Sequence, residues 1–173
     1  MMLAALTLFG CGRSEPESTA PARPQAGAAP LAAIDRASLD QLVAKHRGDV
    51  VLVDFWATWC LPCVAIFPHT VSLQRSLADR GLRVVTISLD SPKDAKTVTE
   101  FLNRQGAMGA DNYLASNGGT SQGFEEFEIP GGALPHLKIY DRRGKLRETI
   151  TGTHAKTVEK KIDGVMKMLL DEK

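Results

Sequence analysis

Cysteine is scarce in this chain: there are three in 173 residues, at positions 11, 60 and 63. That excludes a disulfide-stapled scaffold, which needs several pairs to stand in for a core. It also leaves no second cysteine pair to complete a tetrahedral zinc site, and His46, His69, His136 and His154 show no ligand spacing. An excess of charge is missing too. A formal net charge of +1 makes no electrostatic case for nucleic acid as a partner, and the doublets Arg142-Arg143 and Lys160-Lys161 read as solvated faces. No apolar run reaches the roughly twenty residues that a membrane-spanning helix requires. What is present, 43% hydrophobic and 24% charged residues, suits one ordinary globular domain with a proper core, plus a tail.

The rest of the chain is organised around Val51-Leu-Val-Asp-Phe-Trp-Ala-Thr-Trp-Cys60-Leu-Pro-Cys63. A short apolar strand runs straight into two cysteines spaced C-x-x-C. Beyond them Ile66, Thr70, Leu73 and Leu77 recur at helical spacing, with Val64 and Phe67 beside them. A helix N-terminus supplies free N–H groups and partial positive charge, which favour Cys60 as an anion. Such a pair can pass between dithiol and disulfide, the requirement for thiol–disulfide exchange. Cys60, nearer solvent, is the expected nucleophile. Cys63, one turn in and better shielded, is the expected resolving thiol, and Cys60–Cys63 the redox disulfide. Asp54 lies on the strand six residues before Cys60, enclosed by Val51, Val53 and Phe55. Desolvation should raise its pKa and let it exchange a proton with Cys63, directly or through one water. The alternative is a strand-end aspartate bonded to backbone amides.

Asp54-Phe-Trp-Ala-Thr-Trp-Cys60-Leu-Pro-Cys63, with Pro68 five residues beyond Cys63, resembles a thioredoxin-fold thiol–disulfide oxidoreductase. The Phe-Trp-Ala-Thr-Trp-Cys wording and a segment inserted later are most similar to the membrane-attached, extracytoplasmic branch typified by TlpA and ResA. The likeness covers about residue 34 to the C-terminus. It implies an α/β thioredoxin fold: a central mixed sheet flanked by helices, with a TlpA-like helix/strand insertion. It implies no cofactor beyond the two cysteines, protein thiols and disulfides as partners, and a membrane electron donor. Pro135, in Gly131-Gly-Ala-Leu-Pro135, matches a family proline whose peptide bond is cis and whose loop faces the cysteines. Trp59, Leu61, Pro62, Leu134 and Pro135 are then the expected apolar rim around Cys60, with Gly131, Gly132 and Gly152 letting a partner's backbone come close. One departure stands out. The branch commonly carries an acid two positions before the helix proline, and here that position is Ile66, as in thioredoxin. Subfamily and physiological partner therefore stay open. A peroxidase on this fold would need P-x-x-x-T-x-x-C, and Val53 and Ala57 occupy those positions. A metal-handling module such as a copper chaperone is the alternative of another class. Its relatives space the cysteines one residue wider and add a histidine ligand.

Taken in order, residues 1–11 end Leu8-Phe9-Gly10-Cys11 and resemble a shortened lipoprotein signal, with Cys11 the lipidated residue. A cleavable signal peptide or a short uncleaved anchor would also fit, and a start codon further upstream would supply the absent basic residue. Residues 12–33 hold almost no large apolar side chain and read as a disordered tether, leaving 34–173 as the domain. The expected location is the cell envelope, on the periplasmic or outer-surface side. Within the domain, Ser38-Leu-Asp-Gln41 suggests a capping box and a leading helix. The cysteine helix should stop at Gly81, with Pro68 inside it, and Leu82–Leu89 should be a buried strand. Ser91-Pro92-Lys93-Asp94 should open a helix that ends near Gly106. A strand near Tyr113–Ala115, a turn at 117–119, a strand at His136–Tyr140, a hairpin into Lys145–Thr151 and a final helix from Ala155 to Leu170 complete the expectation.

The dipeptide between the cysteines bears on direction. Leu61-Pro62 carries neither donor nor charge, and Pro62 lacks a backbone N–H. Only the helix terminus favours the Cys60 anion, worth about 0.3–2 kcal/mol. Thioredoxin-fold couples run from about −270 mV to about −120 mV, and the oxidising end needs a strongly stabilised thiolate. A thioredoxin-like pKa and a reducing potential are expected.

Overall fold

The run at 50–56 becomes β2 (Val50–Trp56), buried along its whole length because it lies inside the sheet rather than at an edge. The computed structural model describes residues 31–107 and 110–172. Around β2 are β1 (Ala32–Ile34), α1 (Arg36–Lys45), α2 (Leu61–Leu77), β3 (Leu82–Ser88), α3 (Ala95–Arg104), β4 (Asp111–Ala115), α4 (Ser121–Glu126), β5 (His136–Tyr140), β6 (Leu146–Thr151) and α5 (Ala155–Asp171). The strands form one six-stranded sheet in the order β1-β4-β3-β2-β5-β6. β1 through β2 in that order run parallel, and β5 and β6 are antiparallel to their neighbours. This is the mixed sheet of a thioredoxin-like fold, with α3, β4 and the turn at 117–119 standing where the insertion is expected.

Alternation along β2 divides the core between two faces. Val50 and Leu52 pack against Ile66 and Leu73 of α2 and Val158, Ile162 and Met166 of α5. On the same face, nearer the cysteines, Trp56 meets Phe67 of α2 and Phe101 of α3 at ring distances of 4.6 and 4.7 Å. Val51, Val53 and Phe55 face the other way, toward Leu39 and Val43 of α1 and Phe127 after α4. Ile66 is part of the first face, so the position where an acid is common is here committed to the core.

Most boundaries follow from local chemistry. α2 contains Pro68 and passes through a 3₁₀ turn (Ala78–Arg80) to Gly81, whose φ of +85° is costly for any other residue. Three expectations need correction. The cap of α1 is Asp35, not Ser38: its carboxylate accepts the Ser38 N–H at 2.7 Å, and the helix begins three residues earlier. Ser91 caps with its backbone, and Pro92–Asp94 form a 3₁₀ turn before α3 begins at Ala95. β1 draws Ala32 and Ala33 into the sheet beside β4, so the folded domain starts before residue 34. The proposed signal, Cys11 and the tether up to residue 30 lie outside the described residues.

Candidate active site

β2 ends at Trp56, a loop crosses the end of the sheet, and α2 starts at Leu61 with Cys60 as its N-cap. Cys60 and Cys63 form a disulfide with Cα atoms 5.2 Å apart. The Cys60 sulfur accepts the Cys63 N–H at 3.3 Å, meeting one of the helix donors that have no internal partner. Cys60 is 5% exposed and Cys63 2%. The expected order holds, but the expectation of an open nucleophile does not. Both sulfurs sit in the cluster of Trp56, Phe67, Val71 and Phe101, with Leu134 packed against it.

Exposure falls instead on the flanks: Trp59 is 58% exposed and Leu61 80%. Pro62 is half-buried in the first turn of the helix. The Leu134–Pro135 bond is cis, as the resemblance implied, with Leu134 half-buried and Pro135 buried. A cleft of about 500 Å³ lies beside Trp59, with Phe124, Ile129, Gly131 and Gly132 among its walls. Gly131 faces open space, as a residue near a docking backbone must. Gly152 does not belong with it. A Cβ there would stand 3.1 Å from the Val158 methyl, so its missing side chain serves the packing of α5.

Asp54 is buried, and its Oδ2 accepts the Thr70 hydroxyl at 2.9 Å. Burial pushes its pKa up to about 6, and the Thr70 bond offsets part of that rise. The enclosure differs from expectation, because Val51, Val53 and Phe55 point to the opposite face. Asp54 shares its face with Leu52 and Trp56, beneath α2. Thr70 follows Cys63 by seven residues, two helical turns, so both lie on the buried side of α2. Asp54 is thus fastened to the helix face that carries Cys63.

His69 leaves the site, pairing with Asp163 of α5 at 2.9 Å. His136 follows Pro135 but turns to the α1 face, edge-on to Phe55 with ring centres 5.9 Å apart. It is 2% exposed, neither ring nitrogen has a partner among the described residues, and burial, with Lys138 nearby, lowers its pKa to about 4. His136 is a neutral core residue.

Sequence reasoning missed Thr58 and Asp90. Asp90, just past β3, accepts the Thr58 N–H at 2.9 Å, the Thr58 hydroxyl, and the Ser88 hydroxyl at 2.6 Å. These bonds tie the loop before Cys60 to the neighbouring strand end. No sequence spacing announces them, since Thr58 and Asp90 meet only through the parallel pairing of β2 and β3.

Comparison with known proteins agrees with this site. The AhpC/TSA family matches residues 26–149. The thiol–disulfide oxidoreductase ResA of Geobacillus kaustophilus (strain HTA426) is 25% identical over 124 residues, 71% of this chain and 67% of its own. The match to the ResA of Geobacillus thermodenitrificans (strain NG80-2) spans 61% of that protein, so the likeness reaches about two thirds of these relatives' length. Thioredoxin of Bacillus subtilis (strain 168) is 33% identical over 100 residues, covering 56% of this chain and 89% of itself. Among solved structures, a thioredoxin-family thiol:disulfide interchange protein from Chlorobium tepidum TLS superposes with a TM-score of 0.60 at 25% identity, over 84% of this chain and 99% of that one. With a C-x-x-C disulfide seated on this fold, the chain belongs to the AhpC/TSA family as one of its thioredoxin-like thiol–disulfide oxidoreductases.

Proposed function

We propose that this oxidoreductase works outside the cytoplasm, held to a membrane through a lipid on Cys11, as a reductase of protein disulfides. The observation that carries the reading is the arrangement at α2: an apolar C-x-x-C pair at the helix start with a proton-accepting carboxylate fastened under the same helix face. In the reduced protein the Cys60 thiolate attacks one sulfur of a partner disulfide, and the partner's other sulfur leaves as a thiolate. Asp54, with a pKa near 6, takes the Cys63 proton as Cys63 attacks the Cys60 sulfur. The partner's second thiolate departs, Cys60–Cys63 closes, and two electrons have passed to the partner. A membrane electron donor then returns two electrons and two protons to the pair. No cofactor beyond the cysteines is needed.

Direction is supported by the absence of a donor or charge in Leu61-Pro62 and by the apolar cluster around both sulfurs, neither of which favours a thiolate. The partner polypeptide would rest on Trp59, Leu61 and Pro62 on one side and on Leu134–Pro135 on the other. The deciding experiment is equilibration with a glutathione redox buffer together with insulin reduction. A potential toward the reducing end and active reduction are expected; a potential near −120 mV, the value of strong oxidants, would reverse the assigned direction. Mass spectrometry of the mature N-terminus in the native host tests the anchor: a free Cys11, or cleavage beyond it, removes it.

A further inference from the structure

The exchange chemistry leaves one buried carboxylate unassigned. Asp90 is 2% exposed, and three donors converge on it, two from Thr58 and one from Ser88. Its own N–H donates to the Ser88 hydroxyl at 3.0 Å. Donors filling both oxygens of an acceptor-only group is how an ionised carboxylate is satisfied in an interior. The loop that supplies Thr58 is the one that carries the nucleophile. On one side of Thr58 the Trp56 carbonyl accepts the Leu89 N–H at 2.7 Å, and on the other the Cys60 N–H donates to the Ala57 carbonyl at 3.1 Å. The inserted segment holds Asp90 from behind. The Gly119 N–H donates to the Leu89 carbonyl at 2.7 Å, and a Cβ on Gly118 would stand 2.1 Å from the Asp90 carbonyl oxygen. Only glycine lets that turn close on Asp90, so the active-site loop holds the carboxylate while the insertion packs on the backbone of the same residue.

We propose that Asp90 is a positioning residue for Cys60 whose fixed negative charge also disfavours the Cys60 thiolate and so keeps the couple reducing. The residue that binds the carboxylate, Thr58, stands two residues from Cys60, a chain span of at most about 7 Å. At such a separation inside a protein, one anion raises the pKa of a second by on the order of one unit. The residues packed on the disulfide are apolar. The titratable groups on the surrounding elements are Cys63, Asp54 beneath α2, the neutral His136 on the opposite face of the sheet, Glu125 in the cleft beside Trp59, and Lys93 and Asp94 in the turn after Asp90. The inference rests on the exchange chemistry proposed above and adds what sets its direction.

The test compares wild type with Asp90→Asn, reading the Cys60 pKa from thiolate absorbance and the glutathione equilibrium. In that equilibrium the protein disulfide and two glutathione thiols give the protein dithiol and oxidised glutathione. Asp90→Asn should lower the Cys60 pKa by about one unit and shift the equilibrium about fivefold toward the dithiol. Thr58→Val keeps the charge but removes a donor that compensates it, so it should raise the Cys60 pKa. If Asp90→Asn does not fold when reduced, Asp90→Ser keeps a hydrogen-bonding group without the charge and should behave alike. An unchanged pKa and equilibrium in either folded Asp90 variant, with only stability lost, would leave Asp90 a structural tie. A lowered pKa in Thr58→Val would overturn the electrostatic argument as well. A wild-type potential at the oxidising end is a separate outcome: it defeats the direction proposed above, whereas this test reads the difference between variant and wild type.

Discussion

Asp54 and Asp90 are equally buried, at 2% exposure each, yet they sit in opposite kinds of environment. Asp54 lies mid-strand under α2 with one hydrogen bond, from Thr70. Asp90 lies at a strand end with three. A carboxylate with one donor is poorly compensated when ionised, so burial dominates and its pKa climbs to about 6, where a proton comes and goes near neutrality. A carboxylate whose oxygens are filled by three donors is held in its place. The count of donors, rather than depth, separates the two environments.

The largest effect that can probe this contrast comes from Cys63→Ser. Turnover should stop, with mixed disulfides accumulating through Cys60, while Cys60→Ser accumulates none. The variant isolates the attack step, so adding Asp54→Asn to it should leave the attack rate unchanged. Asp90→Asn should alter that rate. Stopped-flow kinetics with a model disulfide decides it, and a response to Asp54→Asn would break the division of labour.

In an otherwise native protein, Asp54→Asn should slow resolution of the mixed disulfide by about 100-fold near neutral pH, the usual scale for removing a general base. The deficit should shrink above about pH 9, where the thiol ionises without help. Unchanged resolution kinetics from pH 6 to 9 would leave Asp54 only a structural part.

The same substitution has a signed effect on stability. The pKa of Asp54 is raised on folding, so between pH 3.8 and about 6 the native state binds the extra proton, and stability falls as pH rises. By pH 7 the cost is on the order of 3 kcal/mol. Urea unfolding of the oxidised protein should show Asp54→Asn more stable than wild type by that order at neutral pH, with the gap closing below pH 4. A gap independent of pH would mean that ionisation is not its cause.

Thr70 gives the smallest effect. Thr70→Val removes the one hydrogen bond of Asp54, a loss of about 1 kcal/mol, and should move the pH midpoint of the resolution step upward. Thr70→Ser should restore it. Equal midpoints in all three proteins would show that the bond does not act on the titration.

Much of this contrast could be read from the chain. The strand-to-helix passage at 50–63, the mid-strand acid and the proline before His136 are local patterns, and each landed where expected. Other features depend on partners remote in sequence. Val51, Val53 and Phe55 adjoin Asp54 along the chain but point away from it, because a strand alternates its faces; its true neighbours are Thr70 and the even-numbered residues. Asp35 and Ser38 are both competent caps, and the choice between them is settled by β1 ending at Ile34 and by Arg36 meeting Asp40 and Glu128. Gly152 looks like any loop glycine until α5 folds back and brings Val158 against it. Asp90 was silent for the same reason: its donors arrive only when β3 lies beside β2.

The two ends of the sheet bear on how such a protein handles other chains. A sheet normally invites an extended polypeptide to add itself as a further strand at an unpaired edge, and accretion of that kind ends in aggregates. Here one border is β1, only three residues long. The other is β6, where Arg147 pairs with Glu172 and the ladder with β5 slips out of register at Ile139 and Tyr140. Neither border offers a long, flat, apolar template. An extended partner chain can therefore be met at the disulfide without being zipped onto the sheet along its flanks.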